Sequence, residues 1–221
     1  GGWGVGEADV VSVKCGREAG RRCFPDSTKG QSKRISTLEE LLGEFRDQHR
    51  DGIAADTEAF SSWPLHLVIQ QVADCKRADD THHPHLNRIP RRARRSIARK
   101  MASQIEALRA ASSFDALYEL VREMADAVRG LGPVWIYDSS LSLGAVLGLR
   151  PEHIYLHAGT AVAARLFGVR GATWPAFKWP PEFHASGMTA DDLESFLCCE
   201  KNRLRRLKSS GRLPICSGVA S

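Results

Sequence analysis

The chain has 221 residues, 43% of them apolar and 26% charged, and 31 Lys and Arg outnumber 26 Asp and Glu to give a formal charge of +5. That profile excludes disordered, collagen-like and disulfide-dense chains, and the length suffices for one sizeable core. No apolar run approaches the roughly 20 residues with which a helix crosses a bilayer, so no membrane-spanning helix is expected.

Residues 1–35 are rich in Gly, Lys, Arg and Ser with little periodicity, which reads as a loosely packed basic arm with room for one short strand at Val10-Val11-Ser12-Val13. Helical sequence begins at Ser36. Thr37 and Glu40 have the spacing of a capping box, and Leu38, Leu41, Leu42 and Phe45 form an apolar stripe. A second helix is expected from Ala54 to about Cys75, interrupted at Trp63-Pro64, where proline disfavours helix at the residue before it. The prolines of Asp79 to Pro90 mark a loop, and a helix should follow from Arg91 to Ala111. Ser112 and Asp115 offer the next capping pair, opening an amphipathic helix through Leu117, Val121 and Met124 to near Gly130. Pro133 suits the first position of a mostly buried helix that Gly148 should end. A further helix is expected from Thr160 to Phe167. The aromatic and proline-rich stretch from Gly171 to Gly187 should pack over the core, and Thr189 with Asp192 should start the last helix. The fold expected is mainly α: a single compact multi-helix domain over residues 36–200, with irregular basic segments over 1–35 and 201–221.

Charge is unevenly placed. Between Thr81 and Ile105 there is no acidic residue, while Arg88, Arg91, Arg92, Arg94, Arg95, Arg99 and Lys100 all fall inside. At 100° per residue Ile97, Met101, Ile105 and Leu108 share one helix face, and Arg92, Arg95 and Arg99 cluster opposite. Solubilising faces normally mix signs, so an all-positive face favours a polyanionic partner, with nucleic acid first and an acidic protein or membrane surface behind it.

Val128-Arg129-Gly130-Leu131-Gly132-Pro133, between two expected helices, resembles the hairpin of helix-hairpin-helix DNA-binding and DNA-repair proteins, of the form apolar, any, Gly, apolar, Gly. The resemblance covers about forty residues around Gly130 to Asp138. It implies phosphate gripping without base reading through Gly130 and Gly132, as in that DNA-binding family; with the basic segment, whose Arg88, Arg91, Arg92, Arg95 and Arg99 are the candidate partners, the expectation is a nucleic-acid-binding protein, DNA in preference to RNA. The sequence departs from that family where Pro133, Val134 and Trp135 follow the second glycine, since proline has no amide to offer. Gly130 and Gly132 otherwise serve as the end of one helix and the start of the next.

Ile136-Tyr137-Asp138-Ser139 is similar to the aspartate segment of the glycosylases of that family, although it lies closer to the glycines, and no lysine occurs from Gly130 to Arg170 for a lyase step. Asp138 in an apolar helix needs a hydrogen-bond partner or works as a base. His157, in Ile154-Tyr155-Leu156-His157-Ala158-Gly159-Thr160, either caps its turn or pairs with Asp138, giving a helical enzyme with Tyr137, Asp138 and His157 at its centre as the alternative to a binding protein. These two segments are also similar to phrases in uncharacterised bacterial proteins, which implies no activity. Cys75, His82, His83 and His85 lack the ordered pairs of a zinc site, so no metal and no cofactor is expected. The first residues lack the basic start and apolar stretch of a signal peptide, and the six cysteines have no scaffold spacing, which points to reduced thiols and a cytoplasmic location.

Overall fold

A computed structural model describes residues 37–83 and 86–214, and these are mainly helical. The expected arm and its Val10–Val13 strand lie outside the described residues. Helix α1 (Leu38–Phe60) is capped by Thr37, whose Oγ1 accepts the Glu40 amide at 3.2 Å, and runs unbroken for 23 residues, about 35 Å. The sequence suggested two helices there. After Pro64 comes α2 (Leu65–Ala73), then α3 (Arg91–Ser103), which breaks at Gln104 (φ −118°, ψ 23°) before the single turn of α4 (Ile105–Arg109). Helix α5 (Phe114–Asp126) is capped by Ser113 rather than Ser112, with Ser113 Oγ accepting the Ala116 amide at 3.1 Å.

Helix α6 (Pro133–Leu147) starts at its proline and stops at Gly148, which takes the left-handed conformation (φ 70°) that a Schellman-type ending needs. Strands β1 (His153–Tyr155) and β2 (Thr173–Pro175) pair antiparallel, with Ile154 opposite Trp174. Between them α7 (Ala158–Ala164) passes into a 3₁₀ turn at Arg165–Phe167. The short α8 (Pro181–Ala185) then leads to α9 (Ala190–Ser209), opened by the expected Thr189–Asp192 capping box.

Two apolar cores form. One gathers α2, α3, α5 and α6 around Val68, Ile97, Met101, Val121, Trp135 and Leu143. The other gathers the start of α1 with α7, α9 and the strand pair around Leu41, Phe167, Trp174, Phe183, Phe196 and Leu197. Helix α1 belongs to both, through Leu38 to Phe45 at one end and Phe60 at the other. A small aromatic cluster of Phe114, Tyr137 and Tyr155 forms a third group of buried side chains.

The helical body does not stop at residue 200. Leu204 and Leu207 continue the buried stripe of α9, and Arg203 forks onto Glu44 of α1 at 2.8 and 3.2 Å while standing 3.4 Å from Glu200. The first part of the expected basic tail is therefore integral to the second core, because its leucines keep the helical period of Leu193 and Leu197.

Candidate functional site

Helix α3 buries Ala93, Ile97 and Met101 at i, i+4 and i+8, which turns Arg91, Arg92, Arg95 and Arg99 to solvent, and Arg88 is exposed just before it. None of these five meets a carboxylate among the described residues. Arg94, in the same run, is spent on structure: its Nε donates to the Ile89 carbonyl at 3.1 Å and a terminal nitrogen to that of Asp74 at 3.2 Å. Five guanidinium groups without an anion among the described residues repel one another across one face, and an oxyanion would relieve that repulsion while accepting bidentate hydrogen bonds.

The glycine turn lies against the start of this helix. Gly130 adopts φ 105°, a conformation reserved for glycine, and a Cβ built there would stand 3.4 Å from Cδ of Pro90, the N-cap of α3. Two residues on, Gly132 caps α6 without any side-chain hydrogen bond, and Pro133 occupies its first turn. The Gly130–Gly132 turn and the entrance of the arginine helix are thus in contact. Helices α5 and α6 pack against each other on either side of the turn.

A second constellation is buried. Tyr137 on α6 is 1% exposed, His157 caps the start of α7 at 9%, and α9 contributes Asp191 at 6% and Glu194 at 7%. His157 Nε2 stands 3.0 Å from Glu194 Oε1, and the rings of Tyr137 and His157 lie 5.2 Å apart. His157 thus stands at the helix cap, one of its two expected roles, and the carboxylate that faces its imidazole is Glu194. Asp138 is half-buried on α6, and its charge bears on both Tyr137 and Glu194. Burial raises the Glu194 pKa against the opposing pull of His157, and burial with the nearby Glu194, Asp191 and Asp138 charges pushes the Tyr137 hydroxyl well above its usual range. Tyr137 Oη and Asp191 Oδ1 have no hydrogen-bond partner among the described residues; the other Asp191 oxygen is 3.9 Å from Arg150. Beside His157, Ala158 is held at φ 27°, a strained value for an L-residue.

Compared with protein-family models, with curated proteins and with solved structures, the chain matches none. The chemistry of these residues alone carries the assignment.

His157 fulfils its capping position through Thr160, whose Oγ1 accepts the His157 amide at 2.8 Å. Glu194 and Asp191 were missed by sequence reasoning, although a signal was there: Glu194 falls between Ala190 and Leu197 on the apolar face of α9, where a solubilising carboxylate has no place. Cys75 is buried in the first core, its thiol pushed up to about 11 by burial, with its carbonyl accepting the His83 amide at 2.9 Å. His82 is exposed, His85 lies outside the described residues, and no cluster of three or more His, Cys, Asp or Glu converges among the described residues. Trp174 and Phe183 are core residues, as expected of the aromatic stretch, whereas Phe177 stands 81% exposed.

Proposed function

We propose that the protein binds nucleic acid, DNA in preference to RNA, by gripping phosphates with Arg88, Arg91, Arg92, Arg95 and Arg99 beside the Gly130–Gly132 turn. The observation that supports this reading is the approach of Gly130 to Pro90, the N-cap of the helix whose exposed arginines meet no carboxylate among the described residues. Phosphate recognition of this kind fixes position without reading sequence and weakens steeply with salt. Fluorescence anisotropy of labelled duplex DNA, single-stranded DNA and RNA at low salt tests it. Saturable binding that falls when Arg92, Arg95 and Arg99 are replaced supports it; no affinity for any of the three refutes it. Capture of an acidic protein that survives nuclease treatment would replace it with a docking role for the same face.

The His157–Glu194 contact favours a second reading, a DNA-repair-like hydrolase in which that pair moves a proton beside Tyr137, with the half-buried Asp138 as a further charge. Its narrowest form is base excision. Turnover of damaged duplex DNA that is abolished by Glu194→Gln without loss of folding supports it, and absence of turnover on any such substrate removes it.

A further inference from the structure

A cavity of about 320 Å³ opens between α7 and the segment that leads into β2, lined by Leu156, Ala161, Arg165, Val169, Arg170 and Gly171. Its two cations are exposed, and neither meets a carboxylate among the described residues. No acidic residue lines it, and its remaining side chains are aliphatic. Gly168 (φ 85°) and Gly171 (φ 125°) bracket Val169 and Arg170 in left-handed conformations, so the wall that carries Arg170 is a tight double bend which other residues would strain. Outside the lining, Lys208 of α9 donates to the carbonyl of Leu166, the residue after Arg165, at 2.7 Å.

The geometry points to a nucleotide site, in which Arg165 and Arg170 hold a phosphate and the aliphatic floor of Leu156, Ala161 and Val169 receives the sugar or base. The volume is at the small end of ligand cavities, roughly 300–1,000 Å³, and exceeds what a bare phosphate fills. Guanidinium groups suit both parts of such a ligand, since they bind phosphate in a bidentate fork and stack on flat rings. The arginine face of α3 contributes nothing to this cavity, so the inference stands apart from the proposed function. The same chemistry comes from two sources, a free mononucleotide or the phosphorylated end of a strand.

Isothermal titration of the full chain with AMP, adenosine, inorganic phosphate and a short single strand bearing a terminal phosphate tests the inference. AMP should bind, adenosine and phosphate should each bind more weakly, and Arg165→Ala or Arg170→Ala should weaken AMP about tenfold or more. Arg165→Lys should recover part of the loss, because it restores charge without the fork. Tighter binding of the strand than of AMP, lost in the same variants, assigns the site to a strand end. Replacement of Arg92, Arg95 and Arg99 serves as the control and should leave AMP binding unchanged, whatever it does to nucleic-acid affinity. Phosphate binding as tightly as AMP, or AMP binding that is absent or indifferent to Arg165 and Arg170, overturns the inference. Both arginines are exposed and meet no carboxylate among the described residues, so their removal should leave the melting temperature unchanged.

Discussion

Replacing Arg92, Arg95 and Arg99 together by Gln perturbs the polyanion surface with little cost to the fold. Each is exposed, none meets a carboxylate among the described residues, and Gln has nearly the helix propensity of Arg, so stability should change by less than about 0.5 kcal/mol. Each arginine–phosphate contact adds about 0.9 to the slope of log affinity against log salt on B-DNA. If all five exposed arginines engage a phosphate, the slope is about −4.5, and affinity falls roughly 500-fold between about 50 and 200 mM salt. With Arg88 and Arg91 alone remaining, the slope becomes about −1.8 and the fall only roughly 12-fold. Anisotropy titrations of a duplex at several salt concentrations measure both slopes. Equal slopes for the wild type and the triple variant would refute the placement of these guanidinium groups on phosphates.

Tyr137→Phe removes a buried hydroxyl that has no hydrogen-bond partner among the described residues, so stability in urea should hold or rise by about 1 kcal/mol; a loss of that size would mean the hydroxyl is bonded. Glu194 has a raised pKa in the folded state, so its contribution to stability is full below its unfolded value and is lost as pH rises through the folded one. Across the range above pH 4.5, the ordinary value of the group, the wild type should therefore lose stability relative to Glu194→Gln, and denaturation curves at a series of pH values that run parallel would contradict the burial argument. Gly144→Ala sets a Cβ 2.6 Å from the Leu149 carbonyl oxygen and 3.3 Å from the Phe114 ring; despite the helix propensity of alanine the variant should lose about 1–3 kcal/mol, measured by thermal or urea melts.

Where local chemistry decides structure, the sequence was readable. Thr37, Pro133, Gly148 and the Thr189–Asp192 box act within one turn, and each stands where its residue type suggested. The helix after Pro90 and its arginine face follow from the spacing of Ile97 and Met101, whereas Ile105 and Leu108, read onto the same face, lie beyond the break at Gln104. Features that depend on distant partners were not readable. Helix α1 is continuous because both of its ends are buried in separate cores, and the break at Gln104 has no glycine or proline to announce it. Strands of three residues, as in β1 and β2, are too short for alternation to register. The pairing of Glu44 with Arg203 spans 159 positions, and His157 met Glu194 instead of the nearer Asp138 because α7 packs along α9.

Helix α1 acts as a beam embedded at both ends. Neither apolar body can come apart without withdrawing from a rod that the other still holds, so the two should melt in a single calorimetric transition. Amide exchange along α1 should then be governed by global opening rather than by fraying, and a truncation that removes its first turns should weaken the distant arginine-bearing core as well as its own.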